Sequence, residues 1–384
     1  MKLTLEAEHL SAALNKAVGI VEKRSTIPIL ENVLIEAEGE SVRLTTTDLE
    51  RRVTLTIGAE VSTPGSITAN AHKLSQIASK AADGSQVKLS LGKQLSVSAG
   101  TARYKLATLP ADDFPLPHAP NDEGVGFELS GAELEQLFCL TRFAISTDET
   151  RFYLNGTFLE VSEVDGQAHI MAVATDGHRL SRYVIPAPDR LAGDGAFDGV
   201  IVPRKTVSQL ARLLKDYGEP VGVNVRDSTI TFELGHLRLE SKLIAGEYPD
   251  WRRAVPPVAK QSAKVNVADL ADALDRAVIV AASSVKHPPG VRLAIKGQSI
   301  SVTSTNRDVG DTGADSFEAL AVDGEEFEVG LNGRYLAEVL SNWDASQVDI
   351  RIKDPSTPVL FLPSDCAGSK DAVGQMSLVM PMRW

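Results

Sequence analysis

The sequence predicts an α+β fold built as three tandem copies of one domain, each laying two helices against an antiparallel sheet. Three observations carry the prediction. A short alternating stretch that runs into a helical apolar stripe begins at residues 3, 127 and 265. Each opening is followed by the same succession of hairpin, helix and closing strands. The spacings of 124 and 138 residues suit a whole domain and exceed a solenoid repeat.

The first helix of each copy shows in LTLEAEHLSAALNKAV (residues 3–18), in FELSGAELEQLFCLTRFAI from Phe127 and in VNVADLADALDRAVIVA from Val265. Its apolar stripe is Leu10, Leu14, Ala17, Val18 and Val21 in the first copy. The second copy has Leu134, Leu137, Phe138 and Phe143, and the third Leu270, Leu274, Ala277, Val278 and Ala281. Paired strands follow over 32–48, 156–180 and 291–308, with Gly and charged residues at the turns. A second helix follows from 71, 203 and 332, striped by Leu74, Ile77 and Ala78, by Val207, Leu210, Leu213 and Leu214, and by Leu336, Val339 and Leu340. Alternating strands close each copy, the last running through MSLVMPM. Linkers at 115–126 and 255–262, rich in turn-forming residues, set domains at 1–125, 126–257 and 258–384.

Composition narrows the function. Acidic side chains number 51 against 39 basic, a net charge of -12, which disfavours holding nucleic acid by bulk positive charge. Two cysteines, Cys139 and Cys366, make neither a disulfide framework nor a cysteine zinc cluster. Glu6 and Glu8 stand where a signal peptide needs an apolar run, and no stretch approaches the length of a membrane span. The expectation is a cytoplasmic multidomain protein without a cofactor or metal. Basic residues such as Lys16, Lys73, Arg204, Lys205, Arg212 and Arg334 mark the helices, whereas acids such as Glu36, Glu38 and Asp112 fall in strands and turns. If the helices line a hole, its wall is basic and the outside acidic.

Few motifs carry chemistry. The Gly-rich run 193–199 lacks phosphate-loop spacing and the ligand series of a calcium loop, and reads as a hairpin loop. TDGHRL (175–180) offers Asp176 and His178 to a hydrolytic site with a distant serine, but no GxSxG elbow or HExxH pair accompanies it. A histidine packed in a surface cleft is the other reading. GEYPDWRR (246–253) reads as a turn closing the second copy, in the place of LPADDFP in the first. The C-terminal SLVMPMRW is unusually apolar, and methionines suit a surface that accepts several peptides.

MKLTLE, STIPIL (25–30), TDLE (47–50), YLNG (153–156), TDGHRL, VPRK (202–205), YPDWRR (248–253) and MPMR (380–383) together resemble the bacterial DNA polymerase III beta subunit, the sliding-clamp family, along the whole chain. The resemblance implies three clamp domains forming half of a closed, head-to-tail homodimeric ring. It implies a processivity factor without catalysis or cofactor, which encircles duplex DNA and tethers the polymerase. The implied partners are duplex DNA, a second copy, the DNA polymerase III alpha subunit, the clamp loader, and other polymerases and repair proteins. The implied location is cytoplasmic and nucleoid-associated. A topological link needs little direct affinity, which reconciles DNA with a net acidic chain.

Carried over position by position, the pocket for a Gln-Leu-x-Leu-Phe motif comprises Leu154, Thr175, Gly177, His178, Arg179, Leu180, Pro249, Arg253, Val379, Met380, Pro381, Met382 and Arg383. Leu154, Leu180, Val379 and the methionines would receive the Leu and Phe anchors, and Arg179 and Arg253 would bond the peptide backbone or a carboxylate. DNA contacts would be Arg24, Arg151, Tyr153, Arg204 and Lys205, with Asp148 an unusual neighbour. Arg103, Tyr104 and Leu106 would face Ile279 and Val280 of the other copy, with Asp308, Asp311 and Asp315 supplying a thin acidic complement. Ala254 and Trp384 depart from the family pattern beside the pocket, and the loop 364–375 is longer than usual.

Overall fold

The three copies are present as a repeated order of elements, but strand pairing divides the molecule elsewhere. The computed structural model describes all residues except 83, 117–122, 165, 194–195, 257–260, 282–288, 365–372 and 383–384. Helices α1 (Ala7–Ala17), α2 (Ala71–Ser79), α3 (Gly131–Cys139), α4 (Arg204–Leu213), α5 (Val267–Val278) and α6 (Gly333–Ser341) fall two to each copy. Asn70 starts α2 by accepting from Lys73 N at 3.0 Å, and Asn332 starts α6 by accepting from Arg334 N at 3.0 Å. The stripes read from sequence are the buried faces: Leu10, Leu14, Leu74, Leu137, Phe138, Val207, Leu210, Leu270, Leu336 and Val339 have almost no exposure.

The chain forms two units, Met1–Ala132 with Arg212–Leu243 and Glu133–Ala211 with Ile244–Trp384, so the middle copy is shared between them. The first unit holds a five-stranded sheet in the order Glu60–Thr63, Lys2–Glu6, Gln86–Leu91, Leu95–Ala99, Ala102–Leu106. It also holds a nine-stranded sheet that continues from the first copy into the second. Its order is Thr108–Leu109, Gly65–Asn70, Asn32–Glu38, Ser41–Thr47, Arg51–Gly58, Leu237–Lys242, Thr229–Leu234, Pro220–Val225, Val125–Ser130.

The second unit repeats the plan. Its nine-stranded sheet runs Val200–Pro203, Gly156–Val164, Gln167–Thr175, Arg179–Pro186, Gly374–Val379, Val359–Pro363, Gln347–Ile352, Gln261–Asn266, Ala321–Asp323. A four-stranded sheet follows the order Thr312–Glu318, Ser299–Thr305, Gly290–Lys296, Phe327–Asn332. Its largest core gathers Val265, Leu270, Leu274, Leu293, Leu336 and Phe361.

One rule governs both long sheets. The fourth strand of a copy pairs antiparallel with the closing strand of the next: Arg51–Gly58 with Leu237–Lys242, and Arg179–Pro186 with Gly374–Val379. We call these the first and second joints. They move the unit boundary into the middle copy, because each ladder joins strands of two copies into one sheet. The final strand stops at Val379, short of the expected MPM, since Pro381 brings no N–H to a ladder. Residues 365–372 of the long loop and parts of both linkers lie outside the described residues.

At the first joint Leu239 is fully buried opposite Val53. Leu239→Ala is expected to destabilise the chain by about 2–5 kcal/mol through the cavity it leaves. The measurement is the denaturant midpoint by circular dichroism, and an unchanged midpoint would remove the joint from the stability of this unit.

Candidate functional site

The second joint is framed by the turn Thr175–Arg179, which side chains hold closed. Thr175 Oγ1 donates to Arg179 O at 2.7 Å and accepts from Gly177 N at 3.1 Å. Asp176 Oδ1 accepts from His178 N at 2.9 Å and Arg179 N at 3.1 Å, while Oδ2 accepts from Arg179 Nε at 3.1 Å. Gly177 has a φ of +88°, and Arg151 Nη1 stands 2.9 Å from where a Cβ would be. A side chain there meets both a left-handed backbone and a guanidinium.

Arg179 is buried, contrary to the expectation that it reaches a peptide. Its guanidinium lies 4.4 Å from the Tyr335 ring centroid and 5.5 Å from that of Phe143, and it is ion-paired with both Asp176 and Glu338. Burial pulls its pKa down, and Asp176 opposes that pull. A guanidinium held by two carboxylates and covered by rings has little left to offer a ligand. It fastens the turn of the second copy to α6 of the third. The His178 ring stacks on Tyr335 at 6.3 Å. The hydrolytic reading fails on this geometry, because Asp176 is spent on three N–H donors within its own turn and none comes from the His178 ring.

The C-terminal segment is pinned at two points. Met380 N donates to His178 O and Met382 N to Gly330 O, both at 2.8 Å. Between them Pro381 limits the backbone, and the Met380 side chain is 37% exposed. Beneath lies an apolar floor in which Leu154 and Leu180 pack with Met171, Val173, Met376 and Leu378. Val379 is fully buried in the neighbouring core. YPDWRR is more than a turn. Tyr248 stacks on Phe158 at 4.7 Å, and burial pushes its hydroxyl pKa up. Trp251 Nε1 donates to Glu160 at 3.2 Å, and Arg252 donates to Glu160 at 2.8 Å. This packing leaves Pro249, Arg253 and Ala254 exposed. Arg253, whose side chain is 87% exposed with Nε 3.2 Å from Asp250, is a solvent-facing guanidinium in this segment. Arg383 and Trp384 lie outside the described residues.

The structure thus brings Leu154, Thr175, Gly177, His178, Leu180, Pro249, Arg253 and Met380–Met382 into one unit around the second joint. Sequence reasoning missed Phe143, Tyr335 and Glu338, which fix Arg179. Their only signal was a Tyr and a Glu three apart on one helix face.

Of the expected DNA contacts, Arg24 is exposed in the first unit, and Arg204 and Lys205 are exposed at the start of α4. Arg151 pairs with Asp148 at 3.0 Å, and Tyr153 meets Phe152 edge-on at 5.8 Å. Hydrogen bonds from Thr150, and then Arg151, hold the Asp148 carboxyl below the usual range, so Asp148 partly neutralises Arg151. The basic helix residues are exposed, as expected, but the six helices carry seven basic and seven acidic side chains. They are neutral within a chain of net charge -12, with the positive surplus on α4. Arg103 and Tyr104 are exposed on the sheet-edge strand Ala102–Leu106, whereas Leu106 is already buried in its own unit. Ile279 is 69% exposed, Val280 is half-buried, and Asp315 is held by Arg276 of its own chain. Among the described residues no group of three or more His, Cys, Asp or Glu could hold a metal, and no helix is long and apolar enough to cross a membrane.

Comparison with known proteins agrees along the whole chain. Models of the DNA polymerase III beta subunit match in order, the N-terminal domain over 1–118, the central domain over 128–250 and the C-terminal domain over 252–383. The beta sliding clamp of Caulobacter vibrioides is 38% identical over 393 residues, with 100% of both chains covered. A crystal structure of the Caulobacter crescentus beta sliding clamp, with polyethylene glycol bound to its putative beta-motif tethering region, superposes with a TM-score of 0.91 at 36% identity, covering 100% of this chain and 99% of that one. The Bartonella birtlesii sliding clamp bound to griselimycin gives a TM-score of 0.92 at 33% identity, with 100% of both chains covered.

Asp176→Ala leaves the buried Arg179 with Glu338 alone and opens the turn. A loss of about 3 kcal/mol is expected in chemical unfolding, with Asp176→Asn milder because one oxygen still accepts. Equal stability of Asp176→Ala and the unaltered chain would show that the turn does not depend on this carboxylate.

Proposed function

The chain belongs to the DNA polymerase III beta subunit family, and from that premise we propose that two copies close head to tail into a ring around duplex DNA. It is a DNA clamp, a non-catalytic processivity factor for the polymerase. The observation that carries the ring is the joint rule. Fourth strands pair with closing strands at both internal joints, leaving the fourth strand of the third copy, Thr312–Glu318, and the last strand of the first copy's five-stranded sheet, Ala102–Leu106, as sheet edges. The same pairing between two chains uses each edge once per chain and closes with two-fold symmetry. It also removes edges that would otherwise invite aggregation. Arg103 and Tyr104 then meet Ile279 and Val280 of the partner, with Leu106 packed inside its own unit behind them. Domains at 1–125, 126–257 and 258–384 place two internal joints in each protomer.

DNA passes through the ring and is held topologically. Arg24, Arg151, Tyr153, Arg204 and Lys205 touch its backbone without reading sequence. Neutral helices in an acidic chain keep the contact weak enough to slide. The surface around Met380, His178, Gly177 and Arg253, over the floor of Leu154 and Leu180, takes a Gln-Leu-x-Leu-Phe segment of a partner. The alpha subunit of the polymerase, the clamp loader, other polymerases and repair proteins are the partners of that chemistry. The location is cytoplasmic, on the nucleoid.

Two measurements test this reading. Removing residues 380–384 should weaken a fluorescent Gln-Leu-Ser-Leu-Phe peptide by more than about tenfold in an anisotropy titration, and equal binding would move the partner surface elsewhere. Ile279→Asp puts a charge into the proposed seam and should turn a sedimenting dimer into a monomer with unchanged circular dichroism. An unaltered chain that sediments as a monomer would overturn the ring.

A further inference from the structure

The loop that carries Arg24 is tied down at both feet by side chains of its own copy. It spans residues 21–27, between the helical turn Val18–Ile20 that follows α1 and the turn Pro28–Glu31 that precedes strand Asn32–Glu38. Its ends sink into apolar ground, with Ile20, Val21, Ile29 and Leu30 buried, while Glu22, Lys23 and Arg24 are exposed. The Arg24 guanidinium has no ion pair among the described residues, unlike Arg151, which Asp148 holds. A long side chain without a partner of its own is aimed by its backbone. Whatever fixes this loop therefore fixes the reach of Arg24.

Two anchors do so, and both lead to the start of α2. At one foot His72 Nε2 lies 3.1 Å from Val21 O. A carbonyl only accepts, so that nitrogen donates. At the other foot the Glu31 carboxylate is a bridge. Its Oε1 accepts from Ser25 N at 3.1 Å, and Oε2 accepts, more weakly, from Asn70 Nδ2 at 3.4 Å. Ser25 Oγ in turn accepts from Ile27 N at 3.1 Å. Asn70 is already committed, because its Oδ1 caps α2 by accepting from Lys73 N at 3.0 Å, which leaves its amide nitrogen for Glu31. Glu22, Lys23 and Arg24 lie in the chain between the two anchors. Glu31 is thus a carboxylate at the foot of a loop expected near DNA, where charge alone would count against it.

We propose that Glu31 and His72 are positioning residues for the DNA contact: they hold the loop so that Arg24 meets a phosphate without first having to be ordered. The inference rests on Arg24 reaching DNA as proposed above. It has a sign that charge alone does not share. Removing an acid that merely repels phosphate tightens DNA binding, whereas removing an acid that orders the loop loosens it.

The test is an anisotropy titration of the full chain with a short fluorescein-labelled linear duplex, which can thread a closed ring, over a series of salt concentrations. Glu31→Ala should weaken binding about fivefold and make the slope of log K against log salt about 0.9 shallower, the loss of one phosphate contact. Arg24→Ala should do the same. The double variant should be no weaker than Arg24→Ala alone, since both act through one contact. Glu31→Gln should fall between, because its single oxygen can keep only one of the two bonds, and His72→Ala should follow Glu31→Ala. Amide hydrogen exchange over residues 21–27 reads the loop without DNA and should quicken in Glu31→Ala and in His72→Ala. Tighter DNA binding by Glu31→Ala, an unchanged salt slope, additive losses in the double variant, or unchanged exchange would each overturn the proposal. If Arg24→Ala alters binding and Glu31→Ala does not, the positioning role falls and the Arg24 contact stands. If Arg24→Ala itself changes nothing, the contact falls and the positioning role with it.

Discussion

The unpaired edge of a β-sheet is the constraint on which the rest of this structure depends. Each copy has a fourth strand and a closing strand with hydrogen-bonding groups left over. At both internal joints the leftovers satisfy one another, Arg51–Gly58 with Leu237–Lys242 and Arg179–Pro186 with Gly374–Val379. A ladder of main-chain bonds needs no particular side chains, so the same joint recurs with little identity between copies. The middle copy is consequently divided between two units, although its own order of elements is intact. A ring is the arrangement in which the same joint also uses the edges Ala102–Leu106 and Thr312–Glu318.

A joint made by backbone leaves its side chains at liberty, and the two joints use that liberty differently. The turns Thr47–Arg51 and Thr175–Arg179 are held by the same Thr and Asp bonds. Above them, Leu180 opposite Leu378 makes an apolar floor, while Arg52 opposite Glu240 makes a charged one. One backbone frame thereby presents two chemistries. The second joint adds a lock, in which Arg179 ties its turn to Tyr335 and Glu338 of α6. That lock holds His178 and Met380 in one place, the pre-organisation that the proposed partner surface calls for.

Charge is arranged for weak contact rather than tight binding. The helices balance to neutrality against an acidic remainder, and Asp148 tempers Arg151 on a loop expected near DNA. Each phosphate neutralised adds a salt-dependent term to affinity, so a clamp that must move benefits from few such contacts.

The sequence by itself determined the elements, the repeat and the family. Periodicity marked the helix stripes because burying an apolar face is a local requirement on spacing, and Leu10, Leu137, Leu270 and their neighbours are buried accordingly. Motif order marked TDGHRL, YPDWRR and MPMR as a surface of interest. Tertiary structure alone decided that Arg179 is a structural tie and Arg253 the exposed guanidinium, because the partners of Arg179 come from a helix more than 150 residues away. It alone decided that TDLER and TDGHR are the same turn beneath different floors, since the deciding residues, Glu240 and Leu378, reach those turns across a strand pairing that no local pattern encodes.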